Sequence, residues 1–335
     1  MKNTTGITIY RVLRVTICTC VICIVFYLYL PSKSNIINNM TATVGENHVD
    51  ILCVGSSHVD TGLNPIQMYR DYGYATYILG CGAMSPWQCY YNIKHACEKQ
   101  HPSLIICDAY MMGISQDYRD YFDSNTVENT LNMPFSPDKI STVLRSNADR
   151  KLDVILRFPY IHNDYDEFYG FTASKFIGVD NNSLGYSLDQ NVEAYTGEPY
   201  DVITNEIEPL SDQNELYLKK IIEFCKYNGM DLILVNSPSL IVNEESQKYY
   251  NYIAMIASDN DVMFIDGNLY QDEIGIDWCT DTGDGGHHLN HDGVTKFTKF
   301  MAMIIHDNYD IPDRRDRIDY ENFKKGIMWL EEQKN

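Results

Sequence analysis

Short apolar runs alternate with amphipathic stretches along most of the chain, and this alternation most constrains the fold. Five runs have the length and apolar content of buried strands: VDILCVG (49–55), ATYILG (75–80), SLIICD (103–108), DLILVN (231–236) and VMFID (262–266). Continuous apolar strands separated by helices are typical of a parallel sheet that is covered on both faces. The sequence therefore predicts an α/β protein with helices on both sides of a parallel sheet.

Helix boundary signals lie between these runs. The motifs NPIQ (64–67) and SPWQ (85–88) each combine an N-cap residue, a first-turn proline and a capping-box glutamine. Gly73 predicts the end of the first of these helices. Further helices are expected from Ser211, over 244–258, in the stretch that contains Phe297, and at about 319–332.

The segment 109–210 breaks the alternation and is rich in aromatic and acidic residues. It begins directly after the carboxyl end of a predicted strand, where ligands bind in parallel sheets. We therefore expect this insertion to form a lid or a substrate platform. The predicted organisation is a catalytic domain over 48–310 that contains the insertion, followed by a tail helix within 311–335.

The N-terminus has a different character. The run VTICTCVICIVFYLYL (15–30) is uncharged, with Arg11 and Arg14 before it and Pro31 after it. This pattern favours an uncleaved membrane anchor over 1–33, with the rest of the chain outside the cytoplasm and a linker over 34–47. A cleaved signal peptide and a buried helix are the alternatives.

The charge of the chain argues against some partners. The formal net charge at pH 7 is −20, and all the acidic residues lie at or beyond Glu46. Such a surface repels nucleic acid and anionic lipid headgroups. The sequence predicts no nucleic-acid partner.

Three groups of chemically useful residues fall at the carboxyl ends of predicted strands or just before the last core helix. They are GSSH (55–58), GCG (80–82) and DTGDGGHHLNHDG (281–293). Acyl transfer by a serine needs a hydroxyl, an imidazole that takes its proton, a carboxylate that orients the imidazole, and donors for the oxyanion. All four are present at places that a parallel sheet brings together.

A metal site is the competing interpretation of the histidine-rich segment. His287 and His291 are four residues apart, and Asp281 or Asp284 could complete a zinc site. No second cluster supports this alternative. The sequence therefore predicts neither a metal nor a cofactor.

The three motifs together resemble the SGNH (GDSL-like) hydrolase superfamily. The likeness is greater to its membrane-anchored branch, which includes the D-alanyl transfer protein of teichoic acid modification and the alginate O-acetylation proteins. The segments that carry it are SHVDTGLNP (57–65), GCGAMSPWQCYYNIKHA (80–96), HPSLIICDAY (101–110) and HHLNHDG (287–293). The resemblance implies a flavodoxin-like three-layer α/β/α sandwich.

The resemblance also implies roles for residues of the first two motifs. Ser57 would be the nucleophile, and Ser56 would take the place of the family's aspartate. The N–H groups of Ser57 and Gly80 would bind the oxyanion, with His58 and Gly82 in the pocket. Many relatives supply a third donor from an asparagine after the third strand, but CDAYMMG (107–113) contains none.

The base can be assigned in two ways. The family's histidine usually lies five residues before a glycine at the helix entry, and His288 has this spacing from Gly293. Asp284 would then orient His288 across a one-residue bulge that the intervening glycines permit. His287 is the runner-up, because it fits the family's Asp-x-x-His spacing.

These expectations lead to a function. The sequence predicts serine-dependent O-acyl transfer to a cell-surface glycan or envelope polymer, and the resemblance implies a multi-pass membrane O-acyltransferase as partner. The alternatives are an O-acyl esterase with the same site and a non-catalytic surface protein on a decayed hydrolase fold. Aromatic residues of the insertion could stack on sugar rings or form the core of a lid: Tyr160, Tyr165, Phe168, Tyr169 and Phe171.

Overall fold

A computed structural model describes most of the chain and contains the predicted sheet. The described residues are 3–29, 36–114, 129–130, 133, 136–145, 151–156, 181–197 and 204–333. The five strands are β1 (Ile51–Gly55), β2 (Thr76–Gly80), β3 (Leu104–Asp108), β4 (Asp231–Asn236) and β5 (Met263–Asp266). All pair in parallel, in the order β2-β1-β3-β4-β5. This is the strand order of flavodoxin-like sheets.

Helices occupy most of the remaining described chain. They are α1 (Asn3–Tyr29), α2 (Ile36–Val44), α3 (Ser57–Asp60), α4 (Pro65–Tyr72), α5 (Pro86–Ala96), α6 (Tyr110–Ile114), α7 (Pro137–Arg145), α8 (Lys151–Leu156), α9 (Asp212–Tyr227), α10 (Glu244–Asp259), α11 (Gln271–Ile274), α12 (His291–Asn308) and α13 (Glu321–Glu332). Short 3-10 helices cover Gly267–Tyr270 and Ile318–Tyr320.

The helices are consistent with a three-layer sandwich. Right-handed crossovers between parallel strands place α4 on one face of the sheet and α5, α9 and α10 on the other. In agreement, α5 packs against α9, whereas α4 packs against α12 and α13. The residues Ile51–Val54 and Leu104–Cys107 are fully buried between these layers. The apolar runs are continuous because both of their faces are covered.

The predicted capping signals are confirmed. The side chain of Asn64 accepts from the N–H of Gln67, and α4 ends at Gly73 with a φ of 78°. Ser85 and Gln88 form the predicted reciprocal capping box of α5.

The N-terminal region differs from the expectations in two ways. Residues within the predicted linker form α2, because Ile37, Met40 and Val44 recur on one helical face and are buried. Residues 15–29 of the predicted anchor lie in α1. Within the described ranges, however, no helix is both long and apolar enough to cross a membrane, so the predicted transmembrane anchor is not supported.

The tail helix is part of the folded domain. Phe323 of α13 is fully buried, and its ring stacks on Tyr69 of α4 with ring centroids 5.1 Å apart. The guanidinium of Arg314 donates two hydrogen bonds, of 2.8 and 2.7 Å, to the carboxylate of Asp50 just before β1. The tail therefore covers α4 and is tied to the sheet.

We expect Phe323→Ala to lower the free energy of unfolding by about 3–5 kcal/mol, because it leaves a cavity between α13 and α4. The control is Tyr227→Ala, which removes a ring that is 90% exposed and should change stability by less than about 0.5 kcal/mol. Urea denaturation measures both. Equal stability of the two variants would show that the tail does not contribute to the core.

Candidate active site

The exit of β1 places a serine at the edge of the sheet. Ser56 is the N-cap of α3, and its hydroxyl oxygen accepts from the N–H of His58 at 3.2 Å. Ser57 is the first residue of the helix, where backbone N–H groups have no acceptor within the helix. The strand-to-helix turn thus leaves the hydroxyl and the N–H of Ser57 at the carboxyl edge of the sheet.

A buried carboxylate at the end of β3 fixes this turn. Asp108 accepts from the N–H and the hydroxyl of Ser56, at 3.0 and 2.5 Å, and from the N–H of Tyr110 at 2.8 Å. Burial raises the pKa of Asp108, while these hydrogen bonds act in the opposite direction. Gly55 makes the close approach possible, since a Cβ there would lie 2.1 Å from Cβ of Asp108.

The structure brings Ser57, His288 and Asp284 into one hydrogen-bonded chain. Oγ of Ser57 lies 2.8 Å from Nε2 of His288, and Nδ1 of His288 lies 2.7 Å from the carboxylate of Asp284. An ionised carboxylate can only accept, so Nδ1 carries the proton and Nε2 is free to accept from the serine. This is the geometry required for proton transfer from a serine nucleophile.

Asp284 is held in the ionised form that this arrangement needs. Burial alone would raise the pKa of Asp284, but hydrogen bonds from the ring and the backbone N–H of His288 lower it overall. The chain turns between these residues through Gly285 and Gly286, with φ values of 70° and 97°. Glycine reaches these left-handed values without the steric cost that other residues incur.

The runner-up base lies beside this chain of hydrogen bonds. Nε2 of His287 is 3.3 Å from the hydroxyl of Tyr110, and the ring is half-buried. Burial, and then the neighbouring His288, lower the pKa of His287. The geometry therefore favours His288 as the residue that faces Ser57.

His58 is more deeply buried than His287 and His288. Its side chain is 2% exposed and stacks on Tyr110, with ring centroids 3.4 Å apart. Its ring centroid is 4.6 Å from that of His288 and 5.2 Å from that of His287. Burial, followed by the charges of these neighbours, lowers the pKa of His58 well below its usual value. His58 is therefore a neutral imidazole in the wall of the site.

The described part of the predicted insertion supports the loop that carries the histidines. The N–H of Glu193 donates to the carbonyl of Thr282 at 3.0 Å, and the carbonyl of Glu193 accepts from Gly285 at 3.0 Å. The side-chain amide of Asn290 donates to carbonyls on both sides, those of Asn191 and Thr280, at 2.9 and 2.7 Å. Residues 181–197 thus brace the position of His288.

The glycines at the ends of β1 and β2 lie side by side at the carboxyl edge of the sheet. Gly80 is paired in register with Gly55, so its backbone lies beside the turn that leads to Ser57. A Cβ on Gly80 would be 2.4 Å from Cβ of Asp60, whereas a Cβ on Gly82 would meet no atom within 4 Å. The carbonyl of Gly82 accepts from the side-chain amide of Asn129 at 2.9 Å. Gly82 therefore faces open space in a loop that the insertion helps to orient.

His291 was the other histidine that the sequence suggested as a metal ligand. His291 faces away from the cluster, with Nδ1 3.1 Å from the hydroxyl of Tyr186. The sequence suggested His287 and His291 as a metal-binding pair, but the structure brings His287 together with two other histidines. Among the described residues, the group of His58, His287 and His288 has one ring nitrogen each within 4.8 Å of the others. The aromatic residues between Tyr160 and Phe171 lie outside the described residues.

Asp108 and Asp60, two aspartates that lie beside the turn carrying Ser57, were not identified from the sequence. The only signal for Asp108 was a carboxylate that ends an apolar strand at the carboxyl edge of the sheet. Asp60 follows the serine by three residues, and burial, aided by the charge of Asp108, raises its pKa to about 8. Asp60 is therefore mostly protonated at neutral pH.

Comparisons with known proteins give a distant structural likeness. No family model matches the chain, and no curated protein matches it. A crystal structure of a protein from Bacteroides fragilis NCTC 9343, provisionally described as an acylhydrolase, is similar with a TM-score of 0.38 and 12% sequence identity. The alignment covers 84% of this chain and 92% of that protein.

We expect Gly55→Ala to lower the free energy of unfolding by about 1–3 kcal/mol, because the new methyl group displaces Asp108. The matched control is Gly82→Ala, at another strand exit, where the methyl group enters open space. Urea denaturation compares the two. Equal losses of stability in the two variants would mean that the close contact with Asp108 is not the reason why residue 55 must be a glycine.

The raised pKa of Asp60 predicts a pH dependence of stability. Between the ordinary pKa of an aspartate, about 4, and the folded value of about 8, the folded chain binds more protons than the unfolded chain. Stability contributed by this group therefore falls as the pH rises through this window. Asp60→Asn should reduce the loss of stability between pH 5 and pH 8, measured by urea denaturation at each pH. The exposed Asp272→Asn is the control and should keep the wild-type slope; an unchanged slope in Asp60→Asn would contradict the prediction.

Proposed function

We propose that the chain is a serine-dependent acyl-transfer enzyme with Ser57 as nucleophile, His288 as general base and Asp284 as the residue that orients the base. The observation that carries this proposal is the continuous chain of hydrogen bonds, of 2.8 and 2.7 Å, from Ser57 through His288 to Asp284. The family resemblance of the surrounding motifs supports the same assignment.

The first half-reaction follows from this geometry. Nε2 of His288 takes the proton of Ser57 as Oγ attacks the carbonyl carbon of an acyl ester. The resemblance assigns stabilisation of the oxyanion of the tetrahedral intermediate to the N–H groups of Ser57 and Gly80. The intermediate collapses when His288 donates the proton to the leaving alcohol, and the acyl group stays on Ser57.

The second half-reaction needs only an acceptor. His288 takes a proton from the acceptor hydroxyl, whose oxygen attacks the acyl-serine. The second tetrahedral intermediate collapses when His288 returns the proton to Oγ of Ser57, which frees the serine and leaves the acyl group on the acceptor. An acceptor hydroxyl on a cell-surface glycan or envelope polymer gives O-acyl transfer, whereas water gives ester hydrolysis. We propose transfer because the motifs resemble the membrane-anchored branch of the superfamily. The extracytoplasmic location rests on the charge pattern of the N-terminal run, and the multi-pass O-acyltransferase partner rests on the resemblance; both stay predictions.

A non-catalytic function is the alternative from another class. The absence of an asparagine from the end of β3 motivates it, because Asp108 stands at that place and is engaged with Ser56. The intact hydrogen-bonded chain of Ser57, His288 and Asp284 favours an enzyme over this alternative.

Fluorophosphonate labelling of the full chain, with mass spectrometry of the adduct, tests the proposal. We expect the adduct to form on Ser57 and to be absent from Ser57→Ala. The labelling rate of His288→Ala should be lower than that of the native chain by about 1,000-fold or more. His287→Ala is the matched control and should keep much of the rate, because His287 does not contact Ser57 or Asp284 by a hydrogen bond. A dependence on His287 instead of His288 would overturn the assignment of the base, and the absence of an adduct on Ser57 would favour the non-catalytic alternative.

A donor and an acceptor supplied together separate transfer from hydrolysis. With p-nitrophenyl acetate and a methyl glycoside, an acetylated glycoside that requires Ser57 supports transfer. Release of acetate without any acetylated glycoside, at the rate measured when the glycoside is absent, would support the esterase.

A further inference from the structure

The proposed reaction uses one of the three clustered histidines and gives no role to the others. One ring nitrogen each of His58, His287 and His288 lies within 4.8 Å of the other two. The centroids of His287 and His288 are only 4.1 Å apart. Three imidazoles on separate backbone positions at such distances are the donor set of many zinc sites.

His58 supplies the second observation. Its Nε2 is buried and has no hydrogen-bond partner among the described residues. A buried polar atom without a partner costs about 1–3 kcal/mol, so its presence calls for an explanation. The acyl-transfer mechanism provides none, because His58 does not bond to Ser57 or to Asp284. A metal ion would accept the lone pair of this neutral imidazole.

The surroundings suit a cation. The carboxylate of Asp284 is bonded to Nδ1 of His288, which is the carboxylate–histidine arrangement that often supports a metal ligand. The buried carboxylate of Asp108 lies at the end of β3, just before Tyr110, whose ring stacks on His58. The hydroxyl of Tyr110 lies 3.3 Å from Nε2 of His287 and helps to orient that ring.

We propose that His58, His287 and His288 form a regulatory site for a divalent transition-metal ion of the zinc type, which competes with Ser57 for His288. Nδ1 of His288 is engaged with Asp284, so a metal must bind through Nε2, the atom that faces Ser57. A bound metal therefore prevents His288 from accepting the serine proton. The regulatory consequence rests on the proposed function, whereas metal binding itself does not.

Occupation requires a modest movement of the rings. With zinc–nitrogen distances of about 2.0–2.1 Å, the nitrogens of a tetrahedral site are about 3.4 Å apart. The present separations are no more than 4.8 Å, so small rotations of the rings toward a common centre would bring the nitrogens to this spacing. Rotation of His288 away from Ser57 is part of this movement, and the fourth position is left for water.

Isothermal titration calorimetry with ZnCl₂ on the EDTA-treated Ser57→Ala chain tests binding without any need for activity. We expect one site per chain, weakened more than about 100-fold by His58→Phe and by His287→Ala, since loss of a ligand should cost at least as much as loss of a supporting residue. His58→Phe keeps a flat ring on Tyr110, and circular dichroism checks its folding. The control is His291→Ala, which lies outside the cluster and should bind zinc as tightly as its parent.

Three outcomes would overturn the site. They are no binding up to about 1 mM zinc, equal binding in all variants, and loss of affinity in only one of the two cluster variants.

The regulatory consequence has its own readout. Zinc should slow fluorophosphonate labelling of the native chain more than 10-fold, with EDTA restoring it, and the ratio of the rates with and without zinc should approach one in His287→Ala. Labelling that is fast in zinc despite measured binding would overturn the competition for His288. Failure to label Ser57 even in EDTA would instead refute the proposed function and leave the calorimetric result to decide the metal site.

Discussion

The contact between Asp108 and Ser56 is the interaction on which the candidate site depends. It joins the end of β3 to the exit of β1, and it exists only because Gly55 has no side chain. The buried carboxylate is costly to desolvate, but three hydrogen bonds compensate for much of that cost. The position of Ser57 is therefore set by backbone geometry and by a buried, hydrogen-bonded carboxyl group.

The base is positioned by a second network, which meets the first at the hydrogen bond between Ser57 and His288 and at the contact between Tyr110 and His287. Residues 181–197 of the insertion hold the histidine loop from one side, and the loop after β4 holds it from another through Ser239, whose hydroxyl donates to the carbonyl of His287 at 2.8 Å. The described part of the insertion thus contributes to the geometry of the candidate site, a role different from that of a lid alone.

The sequence predicted the features that local patterns encode. Apolar runs located the five strands, and the motifs at 64–67 and 85–88 located helix starts, because both signals act within a few residues. The choice of His288, with Asp284 as its partner, came from the spacing that the family resemblance implies and from two glycines that permit a bulge. Asp108, the stacking of His58 on Tyr110 and the bracing by 181–197 depend on contacts between distant segments, which periodicity and spacing do not encode. The helix α2 was missed because its short apolar face lies in a polar stretch.

His288 is the point at which the two proposed uses of the site meet. When it takes the proton of Ser57, it becomes an imidazolium, which the carboxylate of Asp284 stabilises. The same negative potential stabilises a divalent cation held by three neutral imidazoles. The negative charge of Asp284 therefore favours neither proton transfer nor metal binding over the other. The orientation of the His288 ring decides between them. In the structure that ring faces Ser57 at 2.8 Å, and Nε2 of His58 has no hydrogen-bond partner within the described part of the chain. The arrangement that faces Ser57 thus keeps a buried nitrogen that the proposed metal would bind.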